Sequence, residues 1–269
     1  MTGMIRNIFT GILLFVLFLL IHAFKMMRMY LVLIEQRIEL KRFVFAYLRT
    51  TLVNLIIPFK LGEVYRVFVF YRLTKSFETG LLSVIVDRFF DTLALVLVML
   101  PLQLLYPDTL SFVSVMLAVF LAVIVFVYMI FPPTYRYLNK YIIINRTSPR
   151  SLAILRVLKG LRVWYDYVKG LVTGRYALML LMSFGAWSME GLLLRAFSVL
   201  RFQTPFDARK FCEYITSVLS SAPKTEEQRV YTMMCLALIA VMTLLSAFVY
   251  FWGAPKKKNS ISGHKDSSI

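Results

Sequence analysis

Residues 109–131 read TLSFVSVMLAVFLAVIVFVYMIF, an apolar run without one formal charge. The hydrocarbon core of a bilayer needs about 20 mostly apolar residues in a helix, and this run supplies them. Four further runs qualify or nearly qualify, and they cover residues 7–24, 81–105, 176–200 and 230–252. The sequence therefore predicts an all-α integral membrane protein, a polytopic helical bundle with about five full spans.

The composition agrees with a membrane protein and excludes a soluble cytosolic enzyme. Hydrophobic residues make up 59% of the 269 residues and charged residues only 17%. A soluble domain has about 45–50% apolar and roughly 25% charged residues. The net charge of +17 would suggest nucleic acid in a soluble protein. In a membrane protein it indicates cytoplasmic loops and anionic headgroups, so we expect membrane lipids as partners and no nucleic acid.

Two apolar stretches, residues 43–59 and 211–222, are interrupted by charge and end at a proline or just before one. Apolar segments below span length are more often re-entrant, interfacial or buried between other helices. We expect two short re-entrant or broken helices here, each returning to the side that it left. In the alternative, in which both cross, the bundle has up to seven segments.

Basic residues predict the orientation of the chain. Lys and Arg concentrate in residues 25–80, in residues 132–175 and after Trp252. We expect the protein in the inner (cell) membrane. The positive-inside rule then places the N-terminus on the outer side of this membrane and the C-terminus in the cytoplasm. Residues 1–253 form one membrane domain, and residues 254–269 form a disordered basic tail.

A cytoplasmic amphipathic helix is predicted at about residues 150–170. Apolar side chains recur there at helical spacing, and basic side chains occupy the other face. A basic helix of this kind, carrying Trp164, is typical of the membrane interface. In the alternative, the helix merely packs on the bundle.

Charges inside a predicted span cost roughly 2.5–3.5 kcal/mol each on insertion scales and need a reason. Asp87 and Asp91 share one helix face, and Arg88 lies three residues before Asp91. Arg88 can therefore pair with one or both carboxylates. We expect the three residues to form one network with Glu190. The alternative places the cluster at the cytoplasmic end of a long helix, where its side chains reach the headgroups.

The second cluster lies in NLIIPFKLGEVYR, which begins at Asn54. Pro58 breaks a helix, because it lacks a backbone donor. Gly62 permits a tight turn and a close backbone approach. Lys60 and Arg66 then supply two cations beside free amides, which together suit an anionic headgroup. The hypothesis is a cytoplasm-facing anion site, and the alternative is a loop with solvated charges.

Two acids complete the set of candidates. Glu63 is expected to orient Arg66, three residues further along the chain. Glu190 follows fourteen residues without a charge, which makes it the deepest acid. Its partner is expected on another helix, and Arg88 is the candidate.

Motifs for catalysis and metal binding are missing from the sequence. It has no Walker-type glycine loop, no HExxH and no Cys/His ligand set. Cys212 and Cys235 are expected to fill small apolar spaces. We expect no metal, no cofactor and no catalytic residue, although a membrane-embedded transferase stays open as a minor alternative.

The pattern N-x-x-x-P-x-K-x-G-E-x-x-R, followed some twenty residues later by an acid-R-x-x-D, resembles the transmembrane region of lysylphosphatidylglycerol synthases. The Met27–Tyr30 stretch and the Trp187–Glu190 step are also similar to that family, and the clear resemblance covers residues 25–100. The residues that carry the pattern are Asn54, Pro58, Lys60, Gly62, Glu63, Arg66, Asp87, Arg88 and Asp91.

The resemblance implies a polytopic helical fold with re-entrant segments. It also implies a role in moving a lipid between leaflets, because this region of the synthases is associated with that step. The chain is interpreted as a stand-alone member without the soluble synthase domain. Where family members carry a Pro-Gly-Gly-rich motif and a Glu, this chain has SAPKTEE at residues 221–227. The second half of the site is therefore expected to be altered.

Three functions remain open at this point. The first is a flippase-type carrier that binds, and translocates, an anionic phospholipid or a lipid-linked glycan. The second is an auxiliary subunit that positions a glycosyltransferase or another envelope-biogenesis protein, with a homo-oligomer as a further arrangement. The third is the membrane-embedded transferase.

The predicted orientation is testable by cysteine labelling. Single cysteines placed at Thr74 and Arg150, in a background without Cys212 and Cys235, should react with an impermeant thiol reagent only from the cytoplasmic side. Both positions belong to the basic segments that the positive-inside rule assigns to the cytoplasm. Labelling of intact cells at either position would contradict the orientation.

Overall fold

The computed structural model describes residues 2–57, 61–145, 149–220 and 224–252. Within these ranges all regular structure is helical, as the sequence predicts. Pro58, Lys60 and the predicted tail at residues 254–269 lie outside the described part of the chain. The α-helices are α1 (Thr2–Leu33), α2 (Leu40–Ile56), α3 (Leu61–Thr74), α4 (Phe77–Leu105), α5 (Phe112–Asn145), α6 (Pro149–Val172), α7 (Tyr176–Phe197), α8 (Ala208–Ser220) and α9 (Glu226–Trp252).

Four helical stretches of the described chain are long and apolar enough to cross a membrane. They are Ile5–Gln36, Phe112–Ile144, Tyr176–Phe202 and Glu226–Trp252. Their outward faces carry large apolar side chains such as Phe120, Phe126 and Leu244, each more than half exposed. A soluble protein rarely leaves so much contiguous apolar surface open, because water penalises it. The helical membrane fold predicted from the sequence is confirmed.

The fifth predicted span lies within α4, which is 29 residues long. It is not one of the four apolar stretches, and it is buried by its neighbours instead. Val86, Phe90, Ala94 and Met99 contact the other helices along most of its length. Because α4 packs between helices, the carboxylates of Asp87 and Asp91 face protein.

Helices α1 and α7 form an antiparallel pair at the centre of the bundle. Arg175 at the start of α7 pairs with Glu35, just beyond the end of α1, at 2.5 Å. Further along α7, Gly185 lies against the ring of Phe24. Later residues of α7 therefore contact earlier residues of α1, as expected for antiparallel helices. This arrangement brings the last two turns of α1 beside the first half of α7, where Arg28 meets Ser183.

Helices α2 and α3 form a tightly packed pair on either side of the undescribed residues 58–60. α2 ends at Ile56, and Ile57 is extended. Gly62 is the second residue of α3, and a Cβ there would lie 2.5 Å from Cα of Asn54. The glycine predicted for a tight turn thus lies in a helix and lets two backbones approach. The re-entrant course of α2 and α8 stays a prediction.

Helices α5 and α6 stand at the edge of the bundle. Tyr128 and Phe131 of α5 stack on Tyr165 of α6, with ring centroids 4.8 and 5.1 Å apart. Arg162 lies over the same Tyr165 ring and pairs with Asp166 at 2.8 Å. Membrane-surface contact of α6 stays a prediction. The contacts show that one face of α6 packs on α5.

The close approach at Gly62 predicts a sharp sensitivity to a side chain. Gly62→Ala should lower the unfolding temperature in detergent, because the added methyl overlaps backbone and side-chain atoms of Asn54. Gly160→Ala in α6 is the matched control, since a Cβ at Gly160 meets nothing within 4 Å. The control should be neutral or stabilising by up to about 1 kcal/mol. Equal unfolding temperatures for both variants would contradict the packing.

Candidate functional site

A cavity of about 200 Å³ lies between α1, α2, α3, α4, α7 and α9. Ionisable and polar side chains dominate its wall, although it lies among apolar helices. In a membrane protein such side chains mark a site or a pathway more often than they stabilise the fold. The residues that line this cavity, here called the charged cavity, are Phe18, Ile21, His22, Lys25, Arg28, Tyr47, Thr50, Thr51, Asn54, Leu55, Arg66, Asp87, Arg88, Asp91, Glu190 and Cys235.

Arg28 is the centre of the ionic network in the wall. Its Nε donates to Oδ1 of Asp87 at 2.8 Å, and its Nη1 donates to Oδ1 of Asp91 at 2.7 Å. The same Nη1 donates to the hydroxyl of Ser183 at 2.9 Å. Arg28 is 2% exposed and Asp87 1% exposed. A charge buried so deeply needs partners, and this guanidinium has two carboxylates and a hydroxyl.

Arg66 approaches the same carboxylate from α3. Its Nη2 lies 3.3 Å from Oδ2 of Asp87, so that Asp87 is held by two guanidinium groups. The Arg66 guanidinium also lies over the rings of Tyr47 and Phe70, 5.7 and 6.0 Å from their centroids. Arg66 is therefore fixed by an ion pair and by aromatic faces. Its Nε has no hydrogen-bond partner among the described residues.

Arg88 joins α3 to α4 on the more open side of the cavity. Its Nη2 pairs with Oε1 of Glu63, and its Nη1 lies 3.6 Å from Oδ2 of Asp91. Asn54 of α2 donates to the same Glu63 oxygen at 3.0 Å. Arg88 is 39% exposed, and no side chain or backbone group in the described part of the chain accepts from its Nε.

Lys25 and Glu190 form a second ion pair in the wall, 3.3 Å apart. Lys25 also lies over the ring of Trp187, 5.7 Å from its centroid. The hydroxyl of Tyr231 in α9 donates to Oε1 of Glu190 at 2.8 Å. The indole of Trp187 donates to the backbone oxygen of Asp91 at 3.1 Å, which ties this pair to the Arg28 network.

Four cations, Lys25, Arg28, Arg66 and Arg88, line the cavity with three carboxylates. A fourth carboxylate, that of Glu63, binds Arg88 beside the cavity, so the charges are matched in number. Two of the cations, Arg66 and Arg88, keep a guanidinium Nε–H that no described residue accepts. Such an N–H costs free energy when no acceptor reaches it, so the cavity is suited to a ligand with anionic oxygens.

The structure brings together most residues that the sequence singles out. Asn54, Arg66, Asp87, Arg88, Asp91 and Glu190 line the charged cavity, and Glu63 binds Arg88 beside it. Gly62 packs against Asn54 at the same end.

Two expected pairings within this set are wrong. Glu190 pairs with Lys25 instead of Arg88, because α1 packs against α7 along this length. Glu63 and Arg66 reach different residues of α4, since Glu63 binds Arg88 and Arg66 binds Asp87.

Among the residues that sequence reasoning missed are the cations Lys25 and Arg28, which line the cavity, and Tyr231, which binds Glu190. The predicted first span ended at Phe24, so both cations were counted among cytoplasmic loop charges. α1 instead continues to Leu33, which carries them into the bundle. The available signal was the unbroken apolar spacing of Met26, Met29, Val32 and Leu33, all buried or half-buried.

A resident metal centre has no ligand set in the described residues. No group of three or more His, Cys, Asp or Glu side chains converges there. The three carboxylates of the cavity are each held by a cation instead.

Comparison with known proteins shows the family. The chain belongs to the family described as the lysylphosphatidylglycerol synthase TM region, whose model matches residues 5–221. The match is wider than the predicted resemblance over residues 25–100, and it ends before α9. Searches of curated proteins and of solved structures found no match.

The geometry of Arg28 predicts which cation the fold depends on. Arg28→Ala should destabilise the protein by about 3–5 kcal/mol, because it leaves the buried carboxylates of Asp87 and Asp91 without their main partner. Arg88→Ala should cost much less, since Arg88 is partly exposed. Denaturant unfolding in detergent measures both changes.

A second substitution tests the pairing itself. Adding Asp87→Asn to Arg28→Ala removes one stranded charge and should recover part of the lost stability. A double variant that loses the sum of the two single effects would contradict the pairing.

Proposed function

We propose that the charged cavity binds the anionic headgroup of a membrane lipid, a phospholipid or a lipid-linked glycan. The observation that supports the proposal is a cluster of four cations in a cavity between membrane helices, two of which keep a guanidinium N–H that no described residue accepts. Phosphate oxygens are the acceptors that guanidinium groups suit best. The chain is an integral membrane protein of a lipid-related family, which supports a lipid as the source of the phosphate.

The dimensions of the cavity support a headgroup in place of a whole lipid. One water occupies about 30 Å³ of liquid, so that 200 Å³ corresponds to about seven waters. A phosphate with a short polar substituent fits this volume. The acyl chains then lie outside, against the apolar faces of the helices, where they lose no contact with the bilayer.

The network also supports movement of the headgroup. Arg28 is enclosed and paired with two carboxylates, whereas Lys25 keeps part of its surface open and has a longer pair of 3.3 Å with Glu190. Arg88 is also partly exposed, and its contact with Asp91 is 3.6 Å long. An anion can exchange with a weakly held carboxylate at low cost, because the cation keeps one negative partner throughout. We therefore infer transfer of the headgroup between leaflets, with the N-terminus outside and the C-terminus in the cytoplasm.

Lipid binding is tested with Arg66→Gln and Arg88→Gln in the purified protein. Each change removes one guanidinium, and each should weaken the binding of short-chain phosphatidylglycerol about tenfold, as expected for a hydrogen bond to a charged group. Arg72→Gln is the matched control, because Arg72 lies on α3 as Arg66 does but is exposed and contacts Phe68. Titration with short-chain phosphatidylcholine measures any affinity that does not depend on headgroup charge.

Two further observations make this test decisive. Added salt should weaken phosphatidylglycerol binding, because screening reaches charges that contact water. Unfolding curves of Arg88→Gln identify loss of the fold, which is expected to be small for a partly exposed side chain. Wild-type affinity in both Arg66→Gln and Arg88→Gln would refute the proposal.

A further inference from the structure

A second and larger cavity of about 370 Å³ lies between the end of α7, α8 and the start of α9. Glu213 and Glu226 at its wall are exposed, so water reaches this part of the cavity. Tyr231, which is 3% exposed, closes it on the inner side. Glu227 lies between them and accepts hydrogen bonds from the hydroxyls of Ser198 and Thr204. We call this space the acidic cavity.

One carboxylate separates the acidic cavity from the charged cavity. Tyr231 lines the acidic cavity, and its hydroxyl donates to Oε1 of Glu190. Glu190 lines the charged cavity, and its other oxygen, Oε2, accepts from Lys25. Glu190 is thus hydrogen-bonded to the Tyr231 hydroxyl on the side of the acidic cavity and to the Lys25 ammonium on the side of the charged cavity. Tyr231 lies beyond residues 5–221, the part of the chain that the family model matches.

We propose that the acidic cavity delivers protons to Glu190, and that protonation of Glu190 releases Lys25 to bind the anionic ligand of the charged cavity. The proton passes from water in the acidic cavity to the oxygen of Tyr231. The hydroxyl hydrogen of Tyr231 moves at the same time to Oε1 of Glu190. Tyrosine is left as it began, and Glu190 becomes neutral. Lys25 keeps all its protons and loses only its attraction to Glu190.

Titratable side chains of three helices interact with Glu190. Lys25 of α1, Tyr214 of α8, and Tyr231 and Cys235 of α9 are the titratable groups that interact with it. Lysine, tyrosine and cysteine keep their charge between neutral and mildly acidic pH, because their ordinary titration lies above it.

Two further titratable groups, Asp91 and His22, lie near the ammonium group of Lys25 and could influence it after its release. Asp91 of α4 attracts Lys25 in either state of Glu190 and is itself held by Arg28. His22 also lines the charged cavity and titrates in the acidic range in its ordinary state. His22→Gln is therefore carried as a separate variant, and loss of the acid response in this variant would assign the response to His22 and overturn the titration of Glu190.

Trp187 supplies a reporter that needs no lipid. The Lys25 ammonium lies over its ring, and the release of Lys25 should change the fluorescence of the indole. The other two tryptophans, Trp164 and Trp252, are replaced by phenylalanine in every variant. A rapid pH drop in detergent or in liposomes then starts the reaction, and the fluorescence of Trp187 follows it.

Acidification should change the emission of Trp187 in the otherwise unmodified protein and should not change it in Glu190→Gln. Lys25→Gln, which lacks the departing group, should also show no change. Tyr231→Phe should respond several-fold more slowly, because the relay hydroxyl is gone. Tyr214→Phe removes a neighbouring hydroxyl of the same cavity and should respond at the unmodified rate.

The proposal rests on the proposed lipid binding only for the identity of the ligand. Glu190→Gln should also bind short-chain phosphatidylglycerol at neutral pH as tightly as the unmodified protein does at acidic pH. A fluorescence response to acid in Glu190→Gln would overturn the titration of Glu190. An unmodified rate in Tyr231→Phe would overturn the route through Tyr231. An intact fluorescence response without any phosphatidylglycerol binding would overturn the proposed function alone.

Discussion

The pairing of Arg28 with Asp87 and Asp91 is the constraint on which the arrangement of the helices depends. Three charges in the interior of a membrane protein are tolerated only when they meet, because each alone carries a large desolvation cost. Their meeting requires α1 and α4 to pack side by side, so that the Arg28 guanidinium reaches both carboxylates. The nitrogen-to-oxygen distances are 2.8 and 2.7 Å. Ser183 adds α7 to the same contact. Three helices are therefore fixed in register by one side chain.

The remaining polar contacts follow from this register. With Asp87 in place, Arg66 can reach it from α3, and Arg88 on the next position faces Glu63. The close approach of α3 to α2 at Gly62 keeps Asn54 within reach of Glu63. The cations that line the charged cavity are thus each paired with a carboxylate of a neighbouring helix. The candidate site is a balanced network of charges that several helices supply.

The fold class and the site region were predictable from the sequence for definite physical reasons. Uncharged runs of span length leave few alternatives to a helix in lipid, so residues such as those of 109–131 could be assigned directly. The acids Asp87, Asp91 and Glu190 attracted attention because charge at depth is expensive. The cations that pair with these acids could not be predicted, since pairing between two helices depends on how the helices are aligned along each other. Glu190 could not be assigned to Lys25 without the antiparallel contact of α1 with α7.

The end of α1 shows why a charge count misplaced two site residues. A hydropathy run stops at the first cation, but a helix does not, because its backbone hydrogen bonds continue regardless of side-chain charge. Lys25 and Arg28 lie one turn apart on the face that turns inward, each directly beside a methionine that packs in the apolar core, Met26 and Met29. Counting them as loop charges strengthened the assignment of that side as cytoplasmic and hid the cations of the site. In a membrane helix, a basic residue near a span end is therefore an interior candidate whenever apolar residues continue at helical spacing on both sides of it.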